Sequence, residues 1–218
     1  MKSNNRTIEQ SNNFSRGFTL IEMLVVIGII GILSGIGVAT FSAVTGKAQK
    51  ARCQELVSNV ATALSAIYEK DGCWPRRILA EGKSEGRLTA EIAYDIANKK
   101  MMSLTIDTKN SENHRTIGAD RMGIVTPWAA AVIKKAGKKS IGEGTKVPSG
   151  GTISDHVLRF AVDVDGKGYV KANVGGETLT IRASAVVWCC GKDGKLRPYS
   201  EGLRQDDVYS WNRGQIKR

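Results

Sequence analysis

Signatures of catalysis are missing from this sequence of 218 residues. It has no nucleophile elbow, no phosphate-binding loop and no pattern of a catalytic triad. The two histidines, His114 and His156, lack the spacing to a cysteine that a metal site needs, so we expect both at the surface or at a strand end. Aromatic residues make up only 6% of the chain, against 24 glycines, which predicts a modest core with many turns. These absences argue against an enzyme.

Charge is also missing from one long stretch near the amino terminus. From Phe18 to Val44 the only ionisable side chain is Glu22. As a helix, residues 18–44 would be about 40 Å long at ~1.5 Å per residue, which is enough to cross a bilayer. A secretory signal peptide has a shorter apolar region and a small-residue cleavage site after it, and neither is found here. The sequence therefore predicts a single membrane-spanning helix.

The charge of the residues that precede this helix predicts its orientation. The leader before Phe18 is positive, so we expect it on the cytoplasmic side of an inner membrane, with the body of the chain in the periplasm. A lone carboxylate in an apolar helix is costly, which means that Glu22 needs a partner unless its side chain reaches back to water.

The residues Gly17-Phe18-Thr19-Leu20-Ile21-Glu22, followed by an apolar helix, resemble the amino-terminal signal of type IV pilins and type II secretion pseudopilins. The resemblance implies that residues 1–17 are a leader, which prepilin peptidase removes between Gly17 and Phe18. The same enzyme then methylates the new amine of Phe18. In the family this amine pairs with the glutamate of a neighbouring subunit in the fibre, which implies an assembly role for Glu22. The family's helix-breaking proline is replaced by Ala39, so any softening of the helix would depend on Gly35-Ile36-Gly37.

Beyond the membrane segment the pattern becomes amphipathic. Residues 45–73 carry apolar side chains at spacings of three and four, and Gly72 is placed to cap the helix with Pro75 beyond it. Residues 74–218 would form the periplasmic head. The expected fold is α+β and pilin-like, with a long amino-terminal helix packed on a small antiparallel β-sheet.

Within the head, residues 76–150 are the less informative part. They predict helices over 89–102 and 129–136 and a loop over 137–151. From residue 156 the period becomes two, and the β-sheet with its terminal acidic loop is expected within 156–211. Residues 157–164 and 169–174 predict a hairpin around Asp165-Gly166-Lys167-Gly168, with further strands over 178–181 and 185–188.

The carboxyl-terminal acidic segment, residues 191–211, resembles the calcium loop of the major G-type pseudopilins. The run Ala63–Pro75 also resembles a part of these proteins, the end of their long helix. The resemblance implies calcium, with Asp193, Asp206 and Asp207 as side-chain ligands. Oxygen ligands of this kind suit calcium. Arg197 and two other basic side chains in the segment oppose a cation, so the alternative is a solvated acidic turn held by the packing of Trp211.

Four cysteines in an external domain indicate that disulfides can form. Cys53 and Cys73 should not pair, because twenty residues of helix would separate them by about 30 Å. Cys189 and Cys190 are adjacent, so in a strand they point to opposite faces. We expect one of these two to reach Cys53 or Cys73, and the alternative is buried free thiols.

These features predict a structural subunit rather than a catalyst. The preferred hypothesis is a pseudopilin closest to the G-type, which polymerises with itself and other pseudopilins in a type II secretion fibre that drives protein export. Its other partners would be membrane lipid, a cytoplasmic ATPase and an inner-membrane assembly platform. The alternatives are a type IV pilin for adhesion, motility or DNA uptake, and a membrane-anchored periplasmic enzyme. The net charge of +11 is scattered, so we expect a solvated basic face rather than a nucleic-acid site.

Overall fold

The long amino-terminal helix is present in the computed structural model, which describes residues 18–79, 84–98, 123–136, 142, 144–200 and 206–217. Helix α1 extends over Leu20–Asp71. The chain divides into two compact units, Met1–Thr45 and Gly46–Arg218. The predicted leader, residues 1–17, lies outside the described residues.

In the first unit, α1 begins directly after Thr19, and its large apolar side chains are exposed from Leu20 to Leu33. The backbone stays helical through Gly35, Gly37 and Ala39, so the helix shows no break at this point. Within the described residues, no helix combines the length and the mean hydropathy that crossing a bilayer requires. The transmembrane character of residues 18–44 stays a prediction.

In the second unit, the amphipathic pattern of α1 is confirmed. Most of the side chains that recur at spacings of three and four are buried, and five have no solvent exposure: Cys53, Val57, Val60, Leu64 and Ile67. Leu56 and Tyr68 are partly buried. The helix ends at Asp71, where Gly72 has a φ of 68° and its N–H donates to the carbonyl of Tyr68 at 2.8 Å. A left-handed residue after the last turn suits glycine, which has no Cβ.

The strands of the second unit form two antiparallel sheets. In the described residues, β1 (Glu85–Arg87), β2 (Arg159–Val162), β5 (Ala185–Cys189) and β6 (Val208–Tyr209) pair in the order β1-β2-β5-β6. A separate hairpin pairs β3 (Val170–Val174) with β4 (Glu177–Ile181). Helices α2 (Ala90–Asn98) and α3 (Pro127–Ala136) and a 3-10 turn (Arg213–Gln215) complete the described elements. The α+β class is confirmed.

Strand β5 lies at the centre of this unit, with all five residues buried. Because side chains alternate along a strand, Val187 and Cys189 face the core that contains α1, whereas Val186 and Trp188 face the core that contains the β3–β4 hairpin. We call these the helix-side core and the hairpin-side core. The unit therefore has three layers, with the four-stranded sheet in the middle.

The hairpin predicted around Asp165-Gly166 is wrong. Strand β2 pairs with β1 and β5, whereas β3 pairs with β4, so the two predicted partners belong to different sheets. Asp163 is the physical reason. Its side chain accepts a hydrogen bond from the N–H of Gly168 at 2.6 Å, and its carbonyl accepts one from the Trp74 indole at 2.8 Å. The chain turns out of β2 there and enters the second sheet. The true hairpin turn is Gly175-Gly176, where both φ angles are positive.

The predicted helices are present with shifted bounds. Helix α3 begins two residues before the predicted start, at Pro127, because proline is well suited to the first turn of a helix. Helix α2 begins at Ala90, and the predicted extension to Met102 lies outside the described residues. Within the loop predicted over 137–151, the backbone of Lys146 makes an isolated antiparallel β-bridge with Thr152.

Candidate functional site

The first candidate site is the start of α1, where Glu22 and Thr19 cap the helix. The Glu22 carboxylate accepts hydrogen bonds from the N–H and the hydroxyl of Thr19, both at 2.8 Å. The N–H of Glu22 donates to the Thr19 hydroxyl at 3.3 Å. This reciprocal arrangement is a capping box, and its Thr-x-x-Glu signature can be read in the sequence. Sequence reasoning assigned Glu22 only to assembly and missed this local role.

The capping box holds a carboxylate at the end of an exposed apolar surface. Glu22 is itself exposed, and no atom lies within 4 Å of a Cβ placed on Gly28, Gly31 or Gly35. Small residues at such positions let another helix approach closely. Phe18 is exposed just before the helix, whereas Gly17, on the other side of the predicted cleavage site, lies outside the described residues. The arrangement can accept a cation from a second molecule.

The second candidate site is the carboxyl-terminal acidic loop. Asp207 is buried, and its two carboxylate oxygens accept hydrogen bonds from the backbone N–H of Gly191 at 2.9 Å and of Arg197 at 3.1 Å. Burial raises the pKa of Asp207, and the nearby charge of Asp206 adds to this effect, although the two backbone hydrogen bonds oppose it. Asp207 thus connects three parts of the loop.

Asp193 and Asp206 converge on the same arginine. Asp193 forms an ion pair with Nη2 of the Arg197 guanidinium, and Nη1 of the same guanidinium lies 3.7 Å from Oδ1 of Asp206. The remaining oxygens accept from backbone N–H groups, Asp193 from Lys195 at 3.0 Å and Asp206 from Lys192 at 2.6 Å. Burial alone would raise the pKa of Asp193, but the Lys195 N–H and the Arg197 guanidinium together lower it.

These contacts bear on the predicted calcium ligands, Asp193, Asp206 and Asp207. Each of their six carboxylate oxygens has a protein donor or cation beside it. Over the described ranges, no group of three or more metal-ligating side chains is found. As arranged, the loop does not fit a calcium ion, because backbone N–H groups and the Arg197 guanidinium occupy the positions beside these oxygens. Calcium binding stays a prediction.

The cysteines form the third candidate site. Cys53 of α1 and Cys189 of β5 are buried, with their sulfur atoms 3.0 Å apart. Cys190 points away from this pair, with its sulfur 3.1 Å from the carbonyl oxygen of Asp155. Cys73 is exposed. The structure thus brings two of the four predicted residues together, and the disulfide itself stays a prediction.

His156 is a residue that sequence reasoning misplaced. We expected it at the surface or a strand end, but it is fully buried. Its Nδ1 lies 2.9 Å from the Thr126 hydroxyl, and its Nε2 lies 2.9 Å from the carbonyl oxygen of Gly150. These partners come from distant parts of the chain, so no local pattern could have identified them. His114 lies outside the described residues.

Comparisons with known proteins find sequence similarity to a methylation motif, to type IV major pilins and to a fimbrial protein. A family profile described as "Prokaryotic N-terminal methylation motif" matches residues 12–38. The chain is 34% identical to "Type IV major pilin protein PilE" of Neisseria gonorrhoeae, over 54% of this chain and 74% of that protein. It is 33% identical to "Type IV major pilin protein PilE1" of the same organism, over 44% of this chain but only 41% of the relative. It is 36% identical to "Fimbrial protein EcpC" of Eikenella corrodens, over 31% of this chain and 44% of the relative. No solved structure is significantly similar to the chain.

Proposed function

The chain belongs to the type IV pilin family, and from this premise we propose that it is a structural subunit of a helical filament that assembles from the inner membrane. The relatives that it matches are structural pilins rather than enzymes. Prepilin peptidase would cut after Gly17 and methylate Phe18. Residues 18–44 would anchor the subunit in the membrane, with the head in the periplasm.

The observation that supports this proposal is the position of Glu22 at the beginning of an exposed apolar helix. Cutting after Gly17 would create a cationic amine four residues before this carboxylate. Within one subunit the Glu22 side chain is already turned toward Thr19 by the capping box. The amine of a neighbouring subunit can approach the same carboxylate from outside. In apolar surroundings a charge is tolerated only when it is paired. The pair of Glu22 with a neighbour's amine forms only when the two subunits are aligned along the filament axis, so pairing would favour that axial register.

We infer that the filament is a type IV pilus, because the matched relatives bear the names of major pilins and fimbrial proteins. The second candidate is a type II secretion pseudopilus that drives protein export. The specific observation in its favour is the closed acidic loop of Asp193, Asp206 and Asp207, in the region that resembles the G-type pseudopilins.

The assembly proposal can be tested with two matched variants of the full chain. Glu22→Gln keeps the size of the side chain but removes its charge. Glu55→Gln makes the same change at another exposed position of α1. We expect normal cleavage of both precursors, shown by mass spectrometry, and a strong loss of sheared filaments for Glu22→Gln alone. Filaments at the wild-type level from cleaved Glu22→Gln protein would contradict the proposal.

A deletion of the gene separates the two kinds of filament. Loss of a pilus subunit should remove surface filaments and the motility or adhesion that depends on them. Loss of a pseudopilin should instead leave secreted proteins in the periplasm. Measuring both in the same deletion strain, with the wild-type gene restored as control, decides between the two.

A further inference from the structure

The sulfur pair in the helix-side core joins two elements that are far apart in sequence. Cys53 lies on the amphipathic part of α1, and Cys189 is the last residue of β5. Their sulfur atoms are 3.0 Å apart, closer than two unbonded sulfur atoms would normally pack. Both side chains have no solvent exposure and lie among apolar neighbours.

The other two cysteines occupy different surroundings. Cys190 belongs to the opposite side of the strand end, where its sulfur is 3.1 Å from the carbonyl of Asp155 and 3.6 Å from Nδ1 of His156. Burial raises the pKa of the Cys190 thiol to about 12, which keeps it protonated and unreactive. Cys73 follows the end of α1 and is exposed. Geometry thus singles out one pair from the possible pairings.

We propose that Cys53 and Cys189 form a disulfide that covalently fastens α1 to the central strand of the sheet. The oxidant would be a protein or small molecule that carries a disulfide, such as a periplasmic thiol oxidoreductase. The thiolate of one cysteine attacks this disulfide, forms a mixed disulfide and releases one thiolate. The second cysteine attacks the mixed disulfide, closes the Cys53–Cys189 bond and releases the second thiol. In total, two electrons and two protons pass from the cysteines to the oxidant.

Burial determines when this bond can form. In the folded reduced protein, contact with the Cys53 thiol and burial both raise the pKa of Cys189, and an oxidant cannot reach either sulfur. The bond therefore forms while the helix is docking on the sheet, before the core closes.

The disulfide has a mechanical consequence, which rests on the proposed filament function. Force along a filament would pull on α1, whose amphipathic part is otherwise joined to the sheet by packing and by side-chain hydrogen bonds such as that of Gln54 Nε2 to the carbonyl of Tyr209 at 2.8 Å. A covalent link at residue 53 would transmit this force to the centre of the head. The existence of the bond does not depend on the filament, so the two can fail separately.

Peptide mapping of the full chain, purified in detergent after expression in an oxidising periplasm, tests the pairing. Trypsin should release residues 53–70, residues 71–76 and residues 183–192 as separate cysteine peptides. Without reduction, we expect 53–70 linked to 183–192, with fragmentation between the two adjacent cysteines assigning the bond to Cys189. An alkylated free Cys53, a bond to Cys190 or a bond to Cys73 would each overturn the proposal.

Thermal unfolding provides a second measurement with a matched control. Protein reduced in denaturant, where both sulfur atoms are accessible, and then refolded in reductant should unfold at a midpoint about 10 °C below that of oxidised protein, both for the wild type and for Cys190→Ala, because the bond closes a long loop. Cys53→Ala and Cys189→Ala should unfold at a midpoint that this treatment does not change. A wild-type midpoint that is the same before and after reduction and refolding would refute the bond, whatever the stability of the variants.

The timing can be tested with the same wild-type protein. Folded, reduced protein incubated with oxidised glutathione should keep both thiols, whereas protein refolded in the same mixture should form the bond. Oxidation of the folded protein as fast as during refolding would overturn the inferred order of events.

Discussion

Replacement of the buried His156 is the perturbation whose effect can be worked out most fully. The carbonyl of Gly150 can only accept a hydrogen bond, so Nε2 of the ring donates to it, and in the neutral ring Nδ1 accepts from the Thr126 hydroxyl. The backbone N–H of Thr126 also donates to the carbonyl of His156 at 2.9 Å. His156 therefore connects the start of α3 to the loop before β2.

His156→Phe keeps a ring of similar size but removes both side-chain hydrogen bonds. Thr126 has no solvent exposure, so its hydroxyl would lose its partner inside the core, whereas the half-buried Gly150 carbonyl could turn to water. At ~1–3 kcal/mol for a buried polar group left unpaired, the free energy of unfolding should fall by about 1–3 kcal/mol. For a protein of this size the thermal midpoint should fall by roughly 2–12 °C.

A double-mutant cycle separates the hydrogen bond from general damage to the core. Thr126→Val has nearly the same shape and should cost about 1–2 kcal/mol, because Nδ1 of His156 loses its donor. In the double variant no orphaned hydroxyl remains, so its loss should be smaller than the sum of the two single losses by about 1 kcal/mol.

Urea unfolding of the full chain, followed by tryptophan fluorescence, measures these values. The ring of Trp128 lies 6.5 Å from the ring of His156, which places one fluorophore close to the change. Strictly additive losses, or a His156→Phe variant as stable as the wild type, would refute the reasoning.

Three further predictions concern turns and charges. Gly175→Ala should lower the thermal midpoint strongly, because its Cβ would lie 2.1 Å from the carbonyl carbon of Arg197. Gly176→Ala in the same turn is the control: its Cβ meets no atom within 4 Å, so the midpoint should fall much less. Burial raises the folded-state pKa of Asp207, so its charge costs stability as the pH rises above the usual aspartate value of about 3.9. The midpoint of Asp207→Asn, minus that of the wild type, should therefore increase between pH 3 and pH 7, and a flat difference would contradict this. Calcium should leave the melting curve of the wild type unchanged. It should raise the thermal midpoint of Arg197→Gln, because this variant lacks the guanidinium that competes with the ion for Asp193 and Asp206. A rise in the wild-type midpoint with calcium would instead support the predicted metal site.

Local features were predictable wherever the physical cause was local. The apolar spacing of three and four residues placed Cys53, Val57 and Leu64 in the core correctly, because a helix repeats every 3.6 residues whatever it packs against. The end of α1 at Gly72 was also predictable, since a left-handed cap is a property of one residue.

The hairpin around Asp165-Gly166 failed because a turn signal predicts where the chain reverses, not which strands pair with each other. The side-chain hydrogen bond of Asp163 to Gly168 and the pairing of β3 with β4 took the place of the predicted hairpin. The Gly175-Gly176 signal for the true hairpin was present in the sequence, but a local pattern does not say which of two neighbouring turns will join paired strands.

The sequence by itself determined that this chain carries a pilin-type amino terminus, with Glu22 set in an apolar helix and an amphipathic continuation behind it. The motif and the helical period both depend only on residues close together in the chain. Strand alternation likewise put Cys189 and Cys190 on opposite faces. Only the tertiary structure decided that Cys189 is the one that meets Cys53, that His156 is buried, and that Arg197 lies between Asp193 and Asp206 in the acidic loop. Each of these depends on which distant elements pack together, and that is decided by burial summed over the whole head rather than by any local pattern.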